Sequence, residues 1–135
     1  MNVPWVRRLC LSLPHVTETV QWGDALVFKV GGKMFAVGSL EPRDGVWVSF
    51  KTAPEEFARL IEIPGIIPAP YLARAQWVAL ETEDALTAAE LERLLKRSYD
   101  LIFAKLPRKT QMELAGRAAK TKKAGKSAPR RSRIA

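Results

Sequence analysis

Two kinds of residue in this chain have the type and spacing to do chemistry, and both are cationic. Lys29 and Lys51 fall in strand-like segments, with Trp47 and Met34 close by in the alternating pattern. Lys120, Lys122, Lys123, Lys126, Arg130, Arg131 and Arg133 crowd the last sixteen residues of the 135-residue chain. Spaced lysines interleaved with an aromatic suit a polyanion: the cations neutralise charge and the ring packs on what lies between. The same face also reads as a solvated sheet surface whose lysines serve solubility and edge protection.

Other chemistry finds little footing. The single histidine, His15, follows Pro14 in a helix–strand connection, and the neighbouring sequence does not point to the orienting group a general base needs. Cys10 lies on an apolar stripe and reads as a small buried hydrophobe. Asp24 reads as a turn residue, and Glu55 and Glu56 fall in a first helical turn, where the helix dipole favours acids. No phosphate-cradling loop, dinucleotide fingerprint or metal-ligand spacing is present. The expectation is a protein that is not an enzyme and holds no cofactor and no metal.

Charge is unevenly divided. Residues 1–106 carry 12 Lys and Arg against 13 Asp and Glu, whereas residues 107–135 carry 10 against one, Glu113. The net charge of +8 therefore belongs to the C-terminal end and not to the compact part. Pro107 marks the change, and 108–135 is expected to be a basic, largely disordered tail on a domain over 1–107, with a helix extension open over Thr110 to Lys120. No apolar run reaches membrane-spanning length, Met1 to Leu13 lacks the pattern of a signal peptide, and one cysteine excludes an internal disulfide. A cytoplasmic protein is expected.

The elements that must position the lysines follow from the pattern. Asn2 and Pro4 open a first helix that Pro14 closes, with Val6, Leu9, Cys10 and Leu13 as its stripe. Strands are expected near Thr17–Trp22, Ala25–Val30, Lys33–Leu40, Val46–Lys51 and Gln76–Glu81. Thr52 with Glu55 and Thr87 with Glu90 form the spacing of capping boxes for two further helices, the second buried through Leu91, Leu94, Leu95, Ser98, Ile102 and Leu106. Pro64 to Pro70 reads as an irregular loop. Tight turns between successive strands predict an antiparallel sheet of about five strands with helices on one face, a two-layer α+β domain of order α-β(3-4)-α-β-α.

Gly31-Gly32 suits a two-residue hairpin turn, where both residues need positive φ. That turn pairs Val30 with Lys33, Phe28 with Phe35 and Leu26 with Val37. A four-residue loop from Pro42 to Gly45 then pairs Val37 with Phe50 and Ser39 with Val48. Leu26, Phe28, Phe35, Val37, Val46, Val48 and Phe50 would face the core, leaving Lys29, Met34, Trp47 and Lys51 on an open face.

Leu13-Pro14, Val16-Thr17-Glu18, Gly23-Asp24, Phe28 to Ala36, Phe50-Lys51, Pro68-Ala69-Pro70-Tyr71, Trp77, Ser98-Tyr99-Asp100-Leu101 and Ala104-Lys105-Leu106-Pro107 occur in the order and spacing of the MmcQ/YjbR family, which the chain resembles over roughly residues 5–108. The resemblance implies a frataxin-like and secretion-chaperone-like α+β fold and a DNA-binding role in which β-elements approach the duplex. Many members carry an Asn-Lys-Arg-His-Trp type segment where this chain has Ala73-Arg74-Ala75-Gln76-Trp77, keeping the arginine alone of the polar four. On this reading Lys29, Lys33, Lys51 and Arg74 contact DNA phosphates, Trp47 packs on sugar or base, and the tail adds affinity. The alternative is an adaptor or chaperone-like module that offers its open sheet face to a protein partner. Neither reading involves a membrane.

Overall fold

The computed structural model describes residues 2–41, 45–70 and 72–124, with side chains through residue 116. Helix α1 (Val3–Leu11) begins where the Asn2 side chain accepts from the Trp5 amide at 3.0 Å. Strands β1 (Val16–Gln21), β2 (Ala25–Val30), β3 (Lys33–Ser39) and β4 (Val48–Lys51) follow, then α2 (Pro54–Leu60), β5 (Ile66–Pro68), a 3-10 turn over Ala73–Ala75, β6 (Trp77–Leu80), α3 (Ala88–Lys105) and α4 (Arg108–Ala124). The six strands form one antiparallel sheet in the order β1-β2-β3-β4-β6-β5. The main core lies between one face of this sheet and the helices, with Val6 and Cys10 of α1, Leu60 of α2 and Leu91, Leu94 and Leu95 of α3 packed on Phe28, Phe50 and Val78. The expected two-layer α+β architecture is present, with one more strand than expected.

That extra strand, β5, lies in the segment read as a loop. It is three residues long and ends in Pro68, a residue an outermost strand tolerates because one side of it needs no ladder partner. Helix α2 starts one residue later than the Thr52–Glu55 spacing implies. Pro54 takes the first turn, where a missing N–H costs nothing, and Glu56 reaches back to the Ala53 amide at 3.3 Å. Helix α3 has the expected cap: Thr87 Oγ1 accepts from the Glu90 amide at 3.1 Å, and the Glu90 carboxylate accepts from the Thr87 amide at 3.2 Å.

The register departs from expectation at one bulge. Val30 pairs with Lys33 and Lys29 with Met34, but Phe28 then pairs with Ala36, so Phe35 is extra. Bulged strands place two neighbouring side chains opposite one partner residue, and here both Phe35 and Ala36 enter the main core. Phe35 packs edge-on against Tyr99 with ring centroids 5.6 Å apart. Downstream, Ala36 pairs with Phe50 and Gly38 with Val48. Val48 and Phe50 face inward as expected, but Val37 moves to the other face.

Trp47 is the largest correction. It is 6% exposed and belongs to the main core, with its indole Nε1 donating to the Thr82 carbonyl at 2.8 Å. Trp47 precedes the regular strand, and Val46 takes the opposite face instead. The face expected to be open carries a second apolar cluster of Val46, Ala69, Trp77 and Ala79, flanked by Met34, Val37, Ile67 and Leu72.

Beyond Pro107, where a largely disordered tail was expected over 108–135, the chain turns into α4, which covers the Thr110–Lys120 stretch left open as a helix extension and runs on to Ala124; residues 125–135 lie outside the described residues. Gln111 Nε2 donates to the Leu106 carbonyl at 2.8 Å and to that of Ala104 at 3.3 Å, closing the end of α3. Leu114 is buried in the main core, so the first turns of α4 pack on the domain. No described helix is long and apolar enough to cross a membrane.

Candidate nucleic-acid interface

The sheet has two chemically different ends. One is made by the Gly31-Gly32 turn, the end of β4, the 3-10 turn and the C-terminus of α3. Gly31 has φ +60, and a Cβ there would meet Leu106 Cδ1 at 2.6 Å. A side chain there would be strained by the positive φ and would have to push Leu106 aside, and the close approach sets the Lys105–Lys109 corner against the hairpin. Lys33 stands exposed beside the turn, and Lys29 is half-buried on the second face. Lys105, Arg108 and Lys109 are exposed on the helical side.

Ser98 ties this end together. Fully buried in α3, its hydroxyl donates to the Phe35 carbonyl at 2.6 Å and accepts from the Lys51 amide at 3.0 Å. It thereby supplies partners to the backbone groups that the bulge takes out of the ladder. Lys51, expected on an open face, is only 6% exposed. Its ammonium donates to the Ala75 carbonyl. Thr52 holds the neighbouring carbonyl of Gln76 twice, through its amide at 2.8 Å and Oγ1 at 2.7 Å. Gln76 takes the left-handed conformation, φ +58, at the end of the 3-10 turn, and Arg74 projects from that turn into solvent. Burial holds the Lys51 ammonium below the usual lysine range, and the charge of Lys105 beside it adds to the effect.

Lys29, Lys33, Lys51 and Arg74 thus converge on one end of the sheet, although only Lys33 and Arg74 are openly exposed. Trp47 does not join them. Lys120, Lys122 and Lys123 lie on α4 with side chains outside the description, and Lys126, Arg130, Arg131 and Arg133 lie outside the described residues. Sequence reasoning missed Lys105, Arg108 and Lys109 as neighbours of the hairpin. Their signal was Leu106-Pro107, an apolar residue at a helix stop that needs a core contact.

The residues set aside as non-catalytic have structural surroundings. Cys10 is fully buried and its thiol is pushed up to about 12, leaving it protonated and unreactive near neutrality. Tyr99 donates its hydroxyl to the Pro14 carbonyl at 2.6 Å, anchoring the connection in which His15 takes φ +67. No group of three or more His, Cys, Asp or Glu among the described residues could hold a metal ion. At the opposite end of the sheet Val20, Trp22 and Leu40 are exposed beside a groove of about 610 Å³ lined by Val3, Pro4, Arg7, Arg8, Leu26 and Leu40. Arg7 is paired there with Glu18 at 2.6 Å.

An antiparallel sheet backed by helices on one face, with a cationic end built from a glycine hairpin and a helix C-terminus, defines the class. The family model described as YjbR matches residues 11–101. The chain belongs to the YjbR family. It is 29% identical over 107 residues to the uncharacterized protein YbdF of Escherichia coli O157:H7, covering 78% of this chain and 87% of that protein. Among solved structures, the Deinococcus radiodurans protein DR2400, a DUF419 domain, superposes with a TM-score of 0.75 at 31% identity, covering 84% of this chain and 88% of that one. A Pseudomonas syringae protein shares the fold at 22% identity, with a TM-score of 0.63 over 75% of this chain and 98% of that one.

Proposed function

We propose that this protein binds DNA through its phosphate backbone, with low sequence specificity and without catalysis. The observation that carries the reading is the convergence of Lys29, Lys33, Lys51, Arg74, Lys105, Arg108 and Lys109 at one end of the sheet. Helix α4, whose sequence leads into the basic C-terminal segment, starts at this same corner. Burial of Trp47 takes the aromatic out of the interface, so contacts to phosphate dominate, and such contacts position a duplex without reading its sequence. The body of the domain is close to neutral in net charge, so the tail supplies most of the affinity and the sheet end supplies placement. A cytoplasmic location follows from the ligand.

Titration of a fluorescent duplex with the full chain tests this. Binding is expected at about 50 mM salt, falling on the order of a hundredfold or more by about 200 mM as counterions compete for the phosphates. A full-length variant with Lys120, Lys122, Lys123, Lys126, Arg130, Arg131 and Arg133 all changed to Gln keeps weaker, measurable binding. Absence of binding by the full chain at low salt overturns the reading.

A second reading, an adaptor for a protein partner, is favoured by a different surface. Trp22 is 68% exposed in a turn with φ +55, beside the edge strand β1. Non-glycine strain of this kind collects at functional sites. A partner captured at high salt by the full chain, and lost with Trp22→Ala, supports that reading over DNA.

A further inference from the structure

We infer that the chain pairs with a second copy of itself, strand β1 against strand β1, into one continuous antiparallel sheet. The sequence of that strand carries the inference. Val16-Thr17-Glu18-Thr19-Val20 reads the same in both directions. Antiparallel pairing about a two-fold axis through Glu18 sets Val16 against Val20, Thr17 against Thr19 and Glu18 against its own counterpart. A two-fold interface needs a patch that is complementary to itself, and a palindromic strand is one wherever its like pairs are favourable.

Strand β1 has the place and the shape for this. It is the outermost strand on its side of the sheet, and it pairs with β2 over six successive residues without a bulge. Proteins commonly blunt such an edge with proline, lysine, a bulge or a very short strand. The opposite edge is blunted by length and by proline, since β5 is three residues long and ends in Pro68. None of these devices is present in β1. Its outward backbone groups are therefore free to form a second ladder, and Thr17, Thr19 and Val20 beside them are exposed.

The side chains agree pair by pair. Val16, Glu18 and Val20 lie on the helix side, because their β2 partners Val30, Phe28 and Leu26 belong to the main core. Setting Val20 against Val16 covers an apolar side chain that is 60% exposed. On the other face Thr17 meets Thr19, a cross-strand pair that gains from hydroxyl hydrogen bonding. The central pair is two carboxylates, and each brings its own cation. Arg7 Nε donates to Glu18 Oε1 at 2.8 Å and Arg7 Nη2 to Glu18 Oε2 at 2.6 Å. Two such pairs side by side carry no net charge, and each guanidinium keeps further N–H donors for the carboxylate of the other copy. Sliding one strand by two residues would set Glu18 against Val20, so side-chain chemistry selects the palindromic register. The axis through Glu18 runs normal to the sheet. Both helical layers then lie on one side, and the two cationic ends point in opposite directions.

Sedimentation equilibrium of the full chain without nucleic acid, from micromolar to near-millimolar protein, tests the pairing, with hydrogen exchange at both extremes. The expected result is a monomer–dimer equilibrium in which β1 amides gain protection as the dimer forms. Val20→Lys and Thr19→Lys, at exposed positions on opposite faces of the strand, should each weaken association at least tenfold with unchanged circular dichroism. A monomer throughout the range overturns the inference, as does a dimer that both lysine variants form as tightly as the parent. Association lost in Trp22→Ala but kept in both lysine variants also overturns it, since the contact would then lie on the exposed turn. Duplex binding by a chain that stays monomeric removes the pairing and leaves the DNA reading standing. A dimer of this kind that binds no duplex keeps the pairing and removes the DNA reading.

Discussion

At the residue scale the account rests on a few buried polar groups. Ser98 satisfies both the Phe35 carbonyl and the Lys51 amide, so Ser98→Ala strands two buried backbone groups at once. The expected cost is about 2–4 kcal/mol in urea unfolding, since each unmet buried group costs about 1–3 kcal/mol. Lys51 makes a prediction in pH. Its folded-state value is lowered from the ordinary 10.5, so the folded protein releases this proton before the unfolded chain does. The stability tied to the neutral form is full above 10.5 and is lost as pH falls through the folded value. The stability of the parent relative to Lys51→Met should therefore rise with pH in the alkaline range just below 10.5. A flat difference would mean that Lys51 feels neither burial nor its neighbour. That Phe28 and Phe35 face inward was legible from the Gly31-Gly32 turn together with the apolar weight of that face, although the Phe28–Phe35 pairing the turn implied is replaced by Phe28 with Ala36. The burial of Lys51 was not, because it depends on a covering turn that carries no strand or helix pattern.

At the element scale, capping chemistry was the most legible feature and register the least. Thr87 and Glu90 marked the start of α3 because their reciprocal bonds need that spacing and little else. The bulge at Phe35 left no mark in the hydrophobic pattern. The displaced Phe35 is met by Ser98 and Tyr99 of α3, the first of them 63 residues further along the chain, and local alternation carries no trace of such partners. Trp47 followed the same course: alternation placed it outside, while an indole that can reach the Thr82 carbonyl is more stable within. The hairpin itself makes a graded prediction. Gly31 and Gly32 both have positive φ, but only Gly31 faces Leu106. Gly32→Ala should cost about 1 kcal/mol for its backbone alone. Gly31→Ala should cost more, because Leu106 must also move, and it should disturb the α3–α4 corner in hydrogen exchange. Equal costs would contradict the contact that places Lys105 beside the hairpin.

At the scale of the whole molecule, the chain divides its labour by charge. The family and the two-layer architecture could be read from motifs and element order, and charge counting located the excess of cations beyond Pro107. What composition could not show is that a nearly neutral body gathers its own cations at one end, where the tail also begins. On the DNA-binding proposal, a polyanion reaching that end would meet the cations of the sheet end and the basic segment that begins with α4. This arrangement predicts a division of the salt dependence between body and tail. The slope of log affinity against log salt counts phosphate contacts at about 0.9 per contact. The decisive measurement is that slope for a duplex, in the full chain and in a Lys33→Gln, Arg74→Gln, Lys105→Gln variant with its tail intact. The account predicts a shallower slope in the variant, by about two to three units, with the fold unchanged. Identical slopes in the two proteins would contradict it and leave the tail as the sole point of contact.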